Sequence, residues 1–471
     1  MKKLFFLITI LTFSLSMAQK KFDYESKWKQ IEKQEQDGLL KSTLPTVDEI
    51  YSNAKKDKNP QQIIRAMLYQ SKIAIVTSDE GNIEPEIISK FKNEIAEAKP
   101  SEKAFFQSML AEMIYQYYQQ YQWEIGERTN TEEATTDDLR YWTENTFRKN
   151  ISELYLASLK DKEILQKEDL KNWESVLNKE ENNRNLRPTL YDLLAHRAIA
   201  YFSGYTNYDY YPMEVAEYAD ASADENNESN SKTQIVQVLK DLIAFHQQKN
   251  NPEALLYNEY ELLKIENQNK TTLDYNAKLI QLSEKNPSTN YTSYILYDLA
   301  QNYLNLSGNE AAENFSEKKN LTQKALSVLD KITQKYPKSE IVESGKILQK
   351  QITKPDFNLQ IENYVAPEKT NPMSVSHKNL DKIYFKVLKF KDAENVMNEF
   401  QNAADANKQK ALNNIISKFP LEKEFSLQLK SFDDYQQHAT TTKFESLKAG
   451  KYLVLASNNP DFKVNDDFLL Q

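Results

Sequence analysis

Along most of this chain apolar residues recur at steps of three and four, and near its end they recur at steps of two. The change falls at Lys354-Pro355. From Asp356 onward, Phe357–Ile361, Lys382–Phe390 (KIYFKVLKF), Phe425–Lys430 and Lys451–Ser457 (KYLVLAS) alternate apolar and polar. Alternation puts one face of a strand on a core and the other in water. Met373–Ser376 reads as a further strand after a turn at Asn371-Pro372. His377–Asp381 (HKNLD) then reads as a hairpin-like loop leading to Ile383–Leu388. Asp392–Pro420 interrupts the alternation and is read as an insertion with a helix at Ala406–Phe419. Phe468-Leu469-Leu470-Gln471 resembles a strand stopped midway. Four or five strands predict an incomplete antiparallel β-sandwich, and hence the amino-terminal fragment of a longer protein.

Everything before Pro355 has the helical period. Tyr24–Leu40 is a first helix, and Pro45 precedes Val47–Ala54. Asn59-Pro60, Pro85 and Pro100 open Gln61–Val76, Glu86–Lys99 and Ser101–Ile125, since proline suits the first helical position. In the last of these, Phe105, Phe106, Met109, Leu110, Met113, Ile114, Tyr117, Tyr118 and Tyr121 form a wide apolar face. Such a face reads as core between stacked helices, with an aromatic ligand stripe as the alternative. Thr129–Asp137 is a polar connection, and Asp137 or Asp138 caps Leu139–Leu159. A short helix around Lys167–Leu177 precedes Thr189–Phe202. Gly204–Tyr211 (GYTNYDYY) reads as a tyrosine-rich loop over helices, or as a sugar- or peptide-contacting loop. Ala221–Ser231 (ASADENNESNS) has the composition of a linker.

After that linker helix pairs recur: Lys232–Gln248, Pro252–Glu266, Leu273–Glu284, Ser293–Leu306, Leu321–Lys335 and Lys338–Ile352. Leu296, Leu299, Ala300, Tyr303, Leu304 and Gly308 resemble the first helix of a tetratricopeptide repeat. Ala325, Leu329, Tyr336 and Pro337 resemble its second helix and closing turn, with Asn309–Asn320 inserted between the two. Each pair has one apolar face that only a neighbour can bury, which predicts a stacked solenoid. The fold class expected is therefore α+β multidomain: an all-α helical-hairpin solenoid of tetratricopeptide-like pairs, followed by the incomplete β-sandwich. The expected domains are a signal peptide at 1–18, an α-helical domain at 19–220, tetratricopeptide-like repeats at 232–353 and a sandwich with a helical insertion at 355–471.

Met1–Ala18 has the layout of a secretory signal: Lys2 and Lys3, the apolar run Leu4–Phe13, and Ser16-Met17-Ala18 as a small-x-small cleavage site. The run is short for a membrane span, and no other segment approaches it. Export into the periplasm or to the cell surface of a Gram-negative bacterium is the expectation. The 471 residues contain no cysteine. That excludes disulfides, thiolate catalysis, zinc–thiolate sites and an amino-terminal lipidated cysteine.

Composition removes further classes. A net charge of −9 argues against a nucleic-acid surface, which needs clustered positive charge. Seven glycines are too few for phosphate-cradling turns, and neither G-x-G-x-x-G nor a P-loop is present. The 28 tyrosines lie mostly at helical spacing and should sit half-buried with the hydroxyl wet. His196, His246, His377 and His438 fall in four different elements, without the H-x-x-x-H spacing of a zinc helix. There is no G-x-S-x-G elbow. Asp137-Asp138, Asp433-Asp434 and Asp466-Asp467 read as caps and turns, and Asp461–Asp467 lacks the glycine and distal glutamate of a calcium loop. No catalytic, cofactor or metal residue is assigned, no cofactor is expected, and an enzyme is the least favoured class.

The strand segments carry one more resemblance. Phe357-Asn358-Leu359-Gln360-Ile361, Leu380-Asp381-Lys382-Ile383-Tyr384-Phe385-Lys386-Val387 and Ala449-Gly450-Lys451-Tyr452-Leu453-Val454-Leu455-Ala456 resemble the first macroglobulin-like domain of large bacterial alpha-2-macroglobulin family proteins of the Bacteroidetes type. The resemblance implies that these residues line a sandwich. It also implies an endopeptidase inhibitor that entraps proteases, with the helical part as spacer or docking surface. In many members a Cys–Gln thioester couples to the protease, and no such bond can form within these residues. Two other classes compete. One is a helical-repeat scaffold for a peptide or envelope partner. The other is a surface glycan-binding protein, disfavoured by the missing lipidation cysteine and by only four tryptophans, Trp28, Trp123, Trp142 and Trp173.

Overall fold

The structure is a computed structural model. It describes residues 22–77, 85–128, 136–174, 176–177, 184–204, 225–267, 272–308, 315–362, 364–390, 396–444 and 447–464. The expected signal segment, the greater part of GYTNYDYY, residues 221–224 of the expected linker and residues 465–471 lie outside these. The described chain is mostly helical, with two small antiparallel three-stranded sheets, an α+β chain. It falls into two compact units that meet in sequence at Glu266/Asn267.

The first unit is helical: α1 (Tyr24–Gln36), α2 (Leu44–Asp57), α3 (Pro60–Thr77), α4 (Pro85–Glu97), α5 (Pro100–Gln120), α6 (Gln122–Gly126), α7 (Glu144–Ser158), α8 (Lys162–Leu165), α9 (Leu190–Phe202), α10 (Glu225–Lys249) and α11 (Pro252–Asn267). The apolar face read on α5 is core. Phe106, Leu110 and Ile114 are fully buried, with Phe91, Phe147 and Tyr191 around them.

Several boundaries differ from the periodic reading, each for a local reason. α1 stops at Gln36 because Gly38 takes a left-handed conformation, φ 76°, and Leu39 N–H turns back to the Gln34 carbonyl. The helix expected over Ser101–Ile125 breaks at Tyr121. That over Leu139–Leu159 begins only at Glu144, because Thr143 is its cap. Asp138 instead caps the short 3₁₀ turn Leu139–Tyr141. Around Lys167–Leu177 there is no single helix, only α8, a 3₁₀ turn at Leu170–Trp173 and a bridge from Asp169 to Thr189. Most of the expected linker, Glu225–Ser231, is the first two turns of α10. Its polar composition carries no periodic signal, and the helix nucleated over Ile235–Phe245 runs back through it.

Tyrosine hydroxyls do more than face water. Tyr24 donates to Asp57 (2.6 Å), Tyr155 to Glu112 (2.8 Å) and Tyr118 to Glu144 (3.0 Å), each tying one helix to another.

The second unit starts with α12 (Leu273–Lys285), α13 (Thr292–Gly308), α14 (Phe315–Lys335) and α15 (Ile341–Thr353). Part of the expected insertion, Phe315–Asn320, belongs to α14. The two turns Asn286-Pro287 and Tyr336-Pro337 touch: Tyr336 donates its hydroxyl to the Pro287 carbonyl (2.9 Å), and the Ser293 and Ser339 hydroxyls bond at 2.7 Å. Asn302 donates to the Thr272 carbonyl (3.1 Å) and to the Asn276 side chain, across α13 and α12. Gly345 brings α15 close to Leu329, so that a methyl added there would sit 3.7 Å from that side chain.

The strands follow: β1 (Asp356–Ile361), β2 (Asn371–Lys378), β3 (Lys382–Phe390), β4 (Leu421–Gln428), β5 (His438–Phe444) and β6 (Lys451–Ser457). Helices α16 (Val396–Gln401) and α17 (Lys408–Lys418) fall between β3 and β4. One sheet has the order β1-β2-β5 and the other β4-β3-β6, all antiparallel. The segment His377–Asp381 is therefore not a hairpin loop. Its first residues end β2, and the chain then crosses from one sheet to the other, because the inward residues of β2 and β3 meet face to face rather than edge to edge. Phe357, Met373, Val375, Ile383, Phe385, Val387, Phe444 and Ala456 form one cluster drawn from both sheets. On the other face of β3 and β6, Leu388 and Leu455 pack on Leu412 and Ile415 of α17 and on Phe462. The insertion thus covers a sheet face. Strand β5 (HATTTKF) shows no alternation in the sequence, since its residues before Phe444 are mostly polar.

Candidate functional site

The four histidines lie in four elements, as their spacing predicts, yet the fold gathers them into two pairs, each beside an aspartate. The first pair is in the helical unit. Thr189 caps α9 and Asp192 completes the capping box: Asp192 Oδ2 accepts from Thr189 N–H (3.0 Å) and from its hydroxyl (2.6 Å). The other carboxylate oxygen meets His246 Nε2 of α10 at 2.6 Å. One turn along α9, His196 lies beside the Tyr257 ring, with centroids 5.0 Å apart, and Arg187 donates to the Tyr257 hydroxyl. Burial first, and then the Arg187 guanidinium, hold the His196 imidazole well below its ordinary pKa, so its ring is neutral. Asp192 and His246 are sealed at 0 % and 1 % exposure, which leaves a substrate no approach. The arrangement has the parts of an acid–base dyad but serves as a buried joint between α9, α10 and α11.

The second pair belongs to the β-region. His377 of β2 and His438 of β5 are direct cross-strand partners, with ring centroids 6.2 Å apart. His438 Nε2 lies 3.0 Å from both oxygens of Asp434, and its ring stacks on Phe432 at 3.8 Å. Asp434 also accepts from Gln436 N–H at 3.0 Å. Asp433 and Tyr435 flank it in the left-handed region, with φ of 50° and 60°. Such backbone persists only where surrounding contacts over-determine it. A cavity of about 320 Å³ adjoins this loop; Thr353, His377, Asn379, Asp381, Tyr435 and His438 are among its lining. His377 is buried, and its imidazole is pushed below the ordinary value by that burial and then by His438. Beside the pair, Ser431 gives its hydroxyl to Asp433 at 2.9 Å.

The remaining carboxylate pairs are accounted for locally. Asp138 accepts from Arg140 N–H (3.0 Å) and from its guanidinium (2.9 and 2.6 Å), which holds its carboxyl below the usual range. Asp137 pairs with Lys92. Asp466-Asp467 lies outside the described residues. Among the described residues no cluster of three or more histidine and carboxylate ligands is placed to hold a metal ion. None of their helices is long and apolar enough to cross a membrane. Trp28, Trp142 and Trp173 are core residues, and Trp123 is exposed on α6.

Comparison with protein-family models, with curated proteins and with solved structures finds no match to this chain.

Proposed function

We propose that this chain acts by binding rather than by catalysis, as the helical and first macroglobulin-like part of an exported protease trap of the alpha-2-macroglobulin type. One observation carries the reading. The three segments that resemble that family fall on β1, β3 and β6, and their inward residues Phe357, Phe385 and Ala456 join a single core shared by both sheets. That is the placement the resemblance asks of residues lining a sandwich. The helical pairs serve as spacer or docking surface. A trap leaves its captive able to cut small peptides while shielding it from proteins. The full-length gene product, incubated with broad-specificity endopeptidases, should therefore suppress cleavage of a large protein substrate and spare a small chromogenic peptide. Equal cleavage of both, with and without the product, defeats the proposal. Export is tested by amino-terminal sequencing of the periplasmic fraction, which should begin at Gln19.

A second reading rests on the touching turns of α12–α15: a solenoid whose pairs bind an extended peptide or glycan of the envelope. A product that ignores proteases yet is recovered crosslinked to one envelope component favours it.

A further inference from the structure

The segment Leu429–Gln437 is a strap. At one end Leu429 N–H bonds to the Asp381 carbonyl (2.7 Å). At the other, Gln437 donates to Ser376 of β2 (2.8 Å). Between them, Gln436 reaches the helical part of the same unit and donates to the Ser307 hydroxyl of α13 at 3.2 Å. Beside it, Asn379 donates to the carbonyls of Ile352 (2.7 Å) and Lys354 (3.2 Å) at the end of α15, and Lys378 to that of Gln351 (3.1 Å). Sheet and helices are thus joined by two polar ties with the cavity between them.

We propose that the strap is an acid-released joint, with the buried His377, cross-strand from His438, as its sensor. The groups facing the pair can be named element by element. From the strap come Asp434, Asp433, Tyr435 and Lys430, with Lys430 lying over the Phe432 ring at 4.9 Å. From the turn after β2 comes Asp381, and from α15 only the neutral Thr353. His438 has the Asp434 carboxylate in contact, 3.0 Å from both of its oxygens. Among the described residues His377 has none within ion-pair distance, is 3 % exposed, and faces the His438 ring. A proton on His377 is accommodated only where water reaches its ring, and the cavity it lines gives that route once the strap moves off Ser307.

The direction follows from linkage. The closed form holds His377 below the value it has in water, so the open form binds more protons as pH falls. Closure is complete above about pH 6.5 and is lost below it, by up to tenfold in the closed-to-open ratio per pH unit.

The chain has no cysteine, so two can be added for spin labels. With Lys350→Cys on α15 and Ser431→Cys on the strap, both exposed, the pulsed electron–electron distance should be single at about pH 7.5. A longer population should grow below about pH 6, with far-UV dichroism unchanged. His377→Gln, which keeps a neutral polar ring substitute, should abolish the longer population. A distance that stays single in the parent down to about pH 5, an equal shift in His377→Gln, or loss of the dichroism over the same range would each overturn the proposal.

Discussion

Two aspartate–histidine contacts, one in each unit, use the same atoms in opposite surroundings. Asp192 of α9 and His246 of α10 are fully buried, while Asp434 of the strap meets His438, the first residue of β5, beside a cavity. What differs is the alternative partner. Water cannot replace a lost bond in the first pair and can in the second. An identical contact is therefore rigid structure in one place and an adjustable one in the other.

The largest expected effect breaks the sealed pair. Asp192→Ala strands His246 and removes the N3 half of the α9 capping box, and should cost on the order of 3–5 kcal/mol, read as a fall in the urea midpoint of the helical unit. Asp434→Ala should cost only about 1–2 kcal/mol, because the cavity admits water to His438. Equal losses would remove the distinction.

Acid should separate the two next. His196 is neutral when folded and takes up a proton when unfolded. Its contribution is whole above about pH 6.5 and falls by up to about 1.4 kcal/mol per pH unit below that. His196→Gln should flatten this slope in a pH series of urea melts of the helical unit, and leave the strap's response untouched. The smallest effect is a control. Lys346 and Glu343 form an exposed pair at 2.6 Å on α15, and Lys346→Ala should change stability by less than about 0.5 kcal/mol. Short distance alone then does not rank these contacts.

Much of the architecture was legible. Strands β3 and β6 match Lys382–Phe390 and Lys451–Ser457 residue for residue, since each has apolar side chains on its inward face. Strand β5 was not legible, because it is the edge strand of its sheet and its residues before Phe444 are mostly polar, with Ala439, Thr440 and Thr441 exposed. Nor were the histidine pairs, whose members are distant in sequence and meet only through helix packing and strand register. The crossing from β2 to β3 was hidden for a related reason. A short polar connection between two alternating strands looks alike whether it turns back in one sheet or steps to another.

The bond from Tyr336 to the Pro287 carbonyl sets a rule for how this protein can change length. It fixes the turn between α14 and α15 against the turn between α12 and α13, so the lengths of α13 and α14 must match. A single residue added to α13 or α14 rotates everything after it by about 100° and parts the two turns.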